Sequence, residues 1–169
     1  MSITPKIIFR EGTEKDSNLI FNKIKDLARF LDNEHMVTLS EKDFAKECKS
    51  ENKFINLLIA ETDEEDSKFV GFSLYFPVFN SYHGKRLFME DLFIDEQYRG
   101  HGFGKSFLQE LSKIGVQNGC GGMEWVNHPK NNRAVKFYTS LGAVNLTETE
   151  QWQSYYFPKD VFMKLANAN

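Results

Sequence analysis

The spacing of apolar residues changes several times along the first half of the chain, and these changes predict an order of elements. The segment "KIIFRE" (6–11) predicts a strand. After it, Thr13 and Asp16 form an N-cap signal. Five apolar residues then recur at helical spacing: Leu19, Ile20, Ile24, Leu27 and Leu31. A second, short helix is predicted after Ser40, with Phe44 and Cys48 on one face.

Three longer apolar runs follow, and each predicts a strand. They are "FINLLIAE" (54–61), "FVGFSLYFP" (69–77) and "RLFMEDLFI" (86–94). The acidic stretch "TDEEDS" (62–67) between the first two is typical of a solvated hairpin turn. The three strands therefore form an antiparallel meander in our interpretation.

The second half begins with closely spaced glycines and returns to helical periodicity. Four apolar residues predict a helix that ends near Gly119: Phe107, Leu108, Leu111 and Ile114. "MEWVN" (123–127) predicts a short strand, "NNRAVKFYTSLGA" (131–143) a helix, and "SYYF" (154–157) a closing strand before a last helix that starts at Pro158. The glycines thus join a strand to a helix, where a helix N-terminus can receive an anion.

Composition narrows the classes of protein that are possible. With 169 residues, of which 41% are hydrophobic, residues 1–169 are expected to form one domain. The formal net charge of −3 argues against a nucleic-acid partner, since phosphate binding favours a basic excess. The chain has no apolar run long enough for a bilayer and no secretion signal, so we expect a cytoplasmic protein without a membrane partner. Cys48 and Cys120 lack metal-ligand spacing, and no metal site is expected.

The glycine-rich stretch "YRGHGFGKS" (98–106) invites comparison with nucleotide-binding loops. A Walker A loop needs glycine five residues before Gly104, but Arg99 stands there. The spacing Gly-x-Gly-x-Gly also differs from the dinucleotide fingerprint. The alternatives that remain are a plain glycine-rich turn and a loop for another phosphate-containing ligand.

Two motifs in order decide between these alternatives. "RGHGFG" has the form Arg-x-x-Gly-x-Gly, and "NNRAVKFYTSLGA" has the form Asn-x-x-Ala-x-x-Phe-Tyr-x-x-x-Gly. Together they resemble the GCN5-related N-acetyltransferase (GNAT) superfamily. The segments "YHGKRLFMEDLFIDEQYRGHGFGKSFL" and "SLGAVNLTETEQW" resemble its diamine acetyltransferase branch. The resemblance implies an α/β fold with a mixed, mostly antiparallel sheet flanked by helices, acetyl-CoA as co-substrate, and a homodimer.

The resemblance also implies which residues meet acetyl-CoA. Backbone N–H groups of a glycine loop can bind its pyrophosphate, and strand backbone can line its pantetheine arm. Ordinary roles are the alternative: core packing for the strand side chains, solvation for the charged ones and a helix cap for Asn131. The implied residues are Leu92, Phe93, Ile94, Arg99, Gly100, His101, Gly102, Phe103, Gly104, Lys105, Asn131, Ala134 and Tyr138.

Acetyl transfer to an amine requires one base and one acid. A lysine-like amine, with a pKa of about 10.4, must lose a proton before it attacks, and the departing thiolate must gain one. By resemblance Glu90 takes the first proton and Tyr138 donates the second; the alternatives are a structural ion pair and a packed ring. Strand alternation predicts that Glu90 and Asp91 point to opposite faces, with Asp91 structural.

The acceptor site is implied by the same branch. An acid beside an aromatic ring suits an ammonium group through charge and cation–π attraction. The implied residues are Phe30, Glu90, Glu124, Trp125, Val126, Glu150 and Trp152. The match weakens in the first helix, where Leu31 follows Phe30 although the branch has a glutamate. Two alternatives stay open: Asp32 or Glu34 is a substitute for that charge, or the far end of the acceptor pocket differs from that of the branch.

The sequence therefore predicts an acetyl-CoA-dependent N-acetyltransferase that transfers acetyl directly to a primary amine of a small cationic acceptor, such as a diamine, a polyamine or a thialysine-like amino acid. Direct transfer is favoured because neither motif contains a cysteine. The alternatives are a protein or peptide N-acetyltransferase and a non-catalytic acyl-CoA sensor. A nucleotide hydrolase is disfavoured by Arg99.

Overall fold

The computed structural model describes residues 4–49, 54–151 and 153–168. The chain divides into two compact units, residues 1–130 and residues 131–169. Each unit is described by itself below. The expectation of a single domain over residues 1–169 stays a prediction.

The first unit contains one five-stranded sheet. Its strands are β1 (Ile7–Glu11), β2 (Asn56–Thr62), β3 (Phe69–Asn80), β4 (Gly84–Ile94) and β5 (Met123–Glu124), and they lie side by side in that order. Strands β1 to β4 are antiparallel, whereas β5 pairs in parallel with β4. The expected meander and the mixed, mostly antiparallel sheet are thereby confirmed. β5 is shorter than predicted, because only two of its residues pair with β4.

Three helices of this unit are α1 (Ser17–Phe30), α2 (Glu41–Lys49) and α3 (Phe103–Gln117). The predicted signals before the first two are present. The backbone N–H of Thr13 donates to Asp16 Oδ2 at 2.8 Å in the turn that leads into α1. Ser40 Oγ accepts from the Asp43 backbone N–H at 3.1 Å at the start of α2. Short polar side chains thus satisfy backbone groups where the apolar periodicity begins.

Apolar side chains pack on both faces of the sheet. Phe107 of α3 meets Phe9 of β1 with ring centroids 4.9 Å apart and nearly perpendicular. Phe9 pairs with Ala60, so α3 covers the face on which Ala60 lies. The opposite face carries the cluster formed with α1 and α2: Ile20, Phe21, Phe44, Cys48, Leu57, Ile59, Phe72, Leu74 and Phe93.

A β-bulge interrupts the alternation of side chains in β4. On β3, the neighbours Leu74 and Tyr75 pair with Asp91 and Met89, which leaves Glu90 without a β3 partner. Leu74 and Tyr75 point to opposite faces, so Asp91 and Met89 do so as well, although they are two residues apart. The extra residue therefore shifts Asp91 to the face that α1 and α2 cover.

The second unit contains helices α4 (Asn132–Ser140), α5 (Leu146–Thr149) and α6 (Lys159–Ala166). Pro158 precedes α6, as predicted. The prediction of a closing strand at "SYYF" is wrong, since residues 154–157 form no strand. A strand needs a neighbouring strand to pair its backbone groups, and the described residues of this unit form no strand. Among all described residues, no helix has the length and apolar content needed to cross a bilayer.

Candidate active site

The glycine loop ends β4 and opens α3. Gly100 and Gly102 have φ angles of 86° and 85°, a left-handed conformation that favours glycine. The carbonyl of Gly102 accepts from the N–H groups of Lys105 and Ser106 at 3.0 and 3.2 Å. Within the described part of the chain, the N–H groups of residues 102–104 have no acceptor. These donors lie at a helix N-terminus, an arrangement that suits a phosphate group.

Two contacts hold the start of this loop. The Asp95 N–H donates to the Val70 carbonyl at 2.9 Å, and Asp95 Oδ2 accepts from Lys23 Nζ at 3.1 Å. Lys23 also lies over the Phe93 ring, with its nitrogen 5.4 Å from the centroid. The loop is thus tied both to the sheet and to α1. Sequence reasoning missed Lys23, because its partner is 72 positions away.

The side chains predicted to meet the cofactor mostly serve the loop itself. Arg99 Nε donates to the Ile94 carbonyl at 2.9 Å, and its guanidinium lies 5.9 Å from the Phe93 ring centroid. His101 stacks near Phe103, with ring centroids 6.0 Å apart. Lys105 is exposed. Phe93 is buried in the core, as the alternative for the strand side chains held, so the binding role predicted for it rests on its backbone.

The acidic pair of β4 occupies the bulge. Glu90 is exposed and Asp91 is partly buried opposite Leu74. Burial, and after it the charge of Glu90, raises the pKa of Asp91 to about 6. Ser73 Oγ donates to the Asp91 carbonyl at 2.8 Å. Asp91 is thus the carboxyl of this pair whose pKa is clearly raised.

A second charged pair lies where β4 and β5 meet. Arg86 Nη1 donates to Glu124 Oε1 in an ion pair, and both side chains are largely buried. Glu124 is one of the predicted acceptor residues. Its neighbours Trp125 and Val126, also predicted, are partly buried and exposed respectively. The predicted acceptor segment therefore consists of an acid paired with Arg86, a partly buried indole ring and an exposed apolar side chain.

The end of α1 carries the other predicted acceptor residues of this unit. Phe30 is 65% exposed, so its ring is open to solvent. Glu34 Oε1 accepts from Arg29 Nη2 at 2.8 Å, and this contact lowers the pKa of Glu34. Asp32 has a φ of 59° and is exposed. Of the two expected substitutes, Glu34 is thus paired with Arg29.

In the second unit, the predicted residues lie on α4 and after α5. Asn131 Oδ1 accepts from the Ala134 N–H at 3.2 Å, so Asn131 caps α4. Burial raises the pKa of Tyr138 to about 12, and the phenol therefore keeps its proton at neutral pH. Glu150 is exposed. Trp152 lies outside the described residues.

The described residues offer no group of three or more His, Cys, Asp or Glu side chains that could hold a metal ion. The side chains predicted for catalysis on β4 and α4 are a carboxylate and a phenol. These groups can move protons.

The sequence is similar to a known protein family and to individual proteins of known activity. The model of the acetyltransferase (GNAT) family matches residues 21–143. A thialysine N-epsilon-acetyltransferase of Mus musculus is 32% identical over 162 residues, which cover 93% of this chain and 95% of that protein. A spermidine/spermine N(1)-acetyltransferase-like protein 1 of Homo sapiens is 28% identical over 161 residues, or 93% of this chain and 23% of that protein.

Solved structures agree on the fold. An integron cassette protein from the mobile metagenome of V. cholerae superposes with a TM-score of 0.73 and 24% identity, over 99% of this chain and 100% of that one. The family model covers more than half of the sequence, including the glycine loop and the segment of Tyr138. The chain therefore belongs to the acetyltransferase (GNAT) family, in its diamine acetyltransferase branch.

Proposed function

We propose that the protein is an acetyl-CoA-dependent N-acetyltransferase that acetylates a primary amine of a small cationic acceptor by direct transfer. The observation that carries this proposal is the carboxylate pair Glu90 and Asp91 at the bulge of the strand that leads into the glycine loop. A negative pair at this place attracts an ammonium group and can accept its proton. The mouse relative, a thialysine N-epsilon-acetyltransferase, supports an acceptor of this kind.

The glycine loop fits the phosphates of acetyl-CoA. The N–H groups of residues 102–104 would bind the pyrophosphate, with Arg99 and Lys105 adding positive charge, and residues 92–94 would offer backbone groups to the pantetheine arm. Gly100, His101, Asn131 and Ala134 complete the proposed contacts. Bound acetyl-CoA would supply the activated acetyl group.

The proposed mechanism has two proton transfers with named side chains. The ionised Asp91 attracts the cationic acceptor to the site, and Glu90 then accepts the proton of its ammonium group. The amine nitrogen forms the new amide bond as the carbon–sulfur bond of the thioester breaks. Tyr138 donates its proton to the departing sulfur, and the nitrogen, now part of the amide, releases its second proton to solvent water, from which the Tyr138 phenolate is reprotonated. Its raised pKa keeps Tyr138 protonated at neutral pH.

The remaining assignments are proposals of the same kind. Phe30, Glu124, Trp125, Val126, Glu150 and Trp152 would surround the acceptor. The protein would act as a cytoplasmic homodimer. The acceptor residues and the homodimer are supported by the resemblance of the sequence to the diamine acetyltransferase branch, and the cytoplasmic location by the lack of an apolar run long enough for a bilayer.

The test is release of free CoA thiol from acetyl-CoA by the purified protein. The acceptor panel is spermidine, spermine, putrescine, lysine, thialysine and a histone-tail peptide. We expect fast turnover on at least one small amine and little on the peptide. Turnover on the peptide alone would indicate a protein acetyltransferase, and tight acetyl-CoA binding without turnover on any amine would indicate a sensor.

A further inference from the structure

The ion pair between Arg86 and Glu124 lies at the closed end of the gap between β4 and β5. Pairing of these two strands stops at Phe88 and Glu124, and beyond that point no described residue pairs with β4 on the side away from β3. The side chains of Arg86 and Glu124 are 18% and 21% exposed. The two charges are therefore largely withdrawn from water but still reachable by a small ligand.

The register of β4 places this pair in line with Asp91. Arg86, Phe88 and Asp91 pair with the alternate β3 residues Val78, Phe76 and Leu74, which share one face. The rings of Phe76 and Phe88 stack with centroids 5.3 Å apart between the two charged positions. One face of β4 thus carries, in order, a carboxyl, an aromatic surface and an arginine paired with a glutamate.

The distance along this face suits an acceptor of amino acid size. Four strand residues on β3 separate the partners of Asp91 and Arg86, which is about 13 Å. In an extended lysine-length side chain, about 6 Å separates the α-carbon from the terminal nitrogen, at bond lengths of about 1.5 Å. The side chains of Asp91 and Arg86 can span the remainder from the two ends.

The charges at the far end identify the class of acceptor. A guanidinium binds a carboxylate through two parallel hydrogen bonds, and a carboxylate accepts from an ammonium group. An α-amino acid carries both of the complementary groups on one carbon. A linear polyamine presents only cations there and offers no partner for Arg86.

We propose that Arg86 and Glu124 bind the α-carboxylate and the α-ammonium of a basic amino acid, whose side-chain amine then lies at Glu90 and Asp91. This inference rests on the proposed acetyltransferase function and specifies its acceptor. On binding, the contact between the two protein side chains is exchanged for two contacts with the ligand. Because only the amino acid offers a carboxylate to Arg86, the site should bind an amino acid more tightly than the corresponding diamine.

The test compares acceptors that differ only in the carboxylate. Lysine is paired with cadaverine, and thialysine with its decarboxylated counterpart; kcat/KM is measured for each at saturating acetyl-CoA. We expect the wild-type protein to favour the amino acid at least about tenfold in each pair. In Arg86→Gln this selectivity ratio should fall at least about tenfold.

Two further variants protect the interpretation. Arg86→Gln leaves the largely buried Glu124 without its partner, and this can destabilise the fold. The double variant Arg86→Gln/Glu124→Gln removes both charges and avoids that effect. It should show the same fall in the selectivity ratio. Lys85→Gln is the matched control: Lys85 is the exposed cation immediately before Arg86, and the ratio should be unchanged. A thermal melt of each variant checks that it folds.

The outcomes separate this inference from the function on which it rests. Equal wild-type activity on lysine and cadaverine, or an equal loss on both in Arg86→Gln and the double variant, would overturn the inference while amine acetylation stands. Absence of turnover on every amine would overturn the proposed function, and the acceptor assignment with it.

Discussion

Lys23 Nζ lies 3.1 Å from Asp95 Oδ2, and this ion pair joins helix α1 to the residue that follows β4. Both side chains are about a quarter exposed or less. The backbone N–H of Asp95 is bonded to Val70 of the sheet, and the glycine loop begins a few residues later. The position of the loop therefore depends on a helix that is distant in sequence.

Removing this ion pair should affect stability and cofactor binding together. We expect Lys23→Gln to lower the free energy of unfolding by about 1 kcal/mol, because a partly buried pair and a cation–π contact with Phe93 are both lost. The KM for acetyl-CoA should rise while kcat changes little. Urea unfolding and steady-state kinetics measure the two effects. Lys46→Gln, at an exposed lysine paired with Asp43, is the control and should change neither.

The raised pKa of Asp91 predicts a pH-dependent stability. The folded protein holds the Asp91 proton more tightly than the unfolded chain does. Below about pH 4 the carboxyl is protonated in both states and does not lower the free energy of unfolding. As the pH rises through about 6 the carboxyl ionises in the folded protein, and the free energy of unfolding is lowered by the full amount. Asp91→Asn should therefore be more stable than the wild type at pH 7.5, by up to about 3 kcal/mol, and equally stable at pH 4.

Thermal or urea unfolding at the two pH values tests this prediction. Asp66→Asn, at an exposed position of the β2–β3 turn, serves as the control and should match the wild type at both. A loss of stability in Asp91→Asn at pH 7.5 would contradict the prediction, since the ionised carboxyl would then be a net stabilising group. Activity of Asp91→Asn should fall, because the cationic acceptor loses a charge that holds it.

Tyr138→Phe tests the proposed proton donor. We expect kcat to fall about 100-fold, which is typical for loss of a general acid, with little change in acetyl-CoA binding. Because burial raises the pKa of Tyr138 to about 12, the wild-type rate should show no decline from tyrosine ionisation between pH 8 and pH 10. Tyr155→Phe removes a hydroxyl from a ring that is 87% exposed and should leave kcat unchanged. An unaltered kcat in Tyr138→Phe would assign the proton to another donor.

The left-handed glycines predict a cofactor-binding defect. Gly102→Ala places a Cβ on a residue with φ of 85°, which costs about 1–2 kcal/mol and shifts the N–H groups at the start of α3. We expect the Kd for CoA, measured by calorimetry, to rise at least about tenfold. Gly122→Ala is the control, since its added Cβ would meet no atom within 4 Å and its φ is not left-handed. Equal CoA affinities in the two variants would refute a role of the loop backbone.

Local signals explain why much of the fold follows from the sequence. Helical periodicity and a cap are properties of adjacent residues, so α1 is predicted after Thr13 and α2 after Ser40. Strand pairing depends on residues far apart. "SYYF" has the composition of a strand but no described partner in its unit, and strand propensity alone does not satisfy backbone groups.

The candidate site also combines features set by adjacent residues with features set by contacts between distant ones. The glycine loop was predicted because its conformation requires glycine at fixed positions. The position of Asp91 on the face opposite to Met89 was not, because alternation places residues two apart on one face and the bulge is a property of the pairing between β3 and β4. The contact between Arg86 and Glu124 joins residues 38 positions apart, and no spacing rule connects them.

The bulge at Glu90 separates the residues of β4 that hold its register and packing from the residue that is free of both. Met89 and Asp91 are held by cross-strand neighbours, and Met89 is 2% exposed, whereas Glu90 is exposed and lies opposite no residue of β3. Substitution at position 90 can therefore alter the chemistry of the strand while its register and packing persist. Such a position is evolvable: a lineage or a laboratory selection can vary residue 90 without first losing the fold.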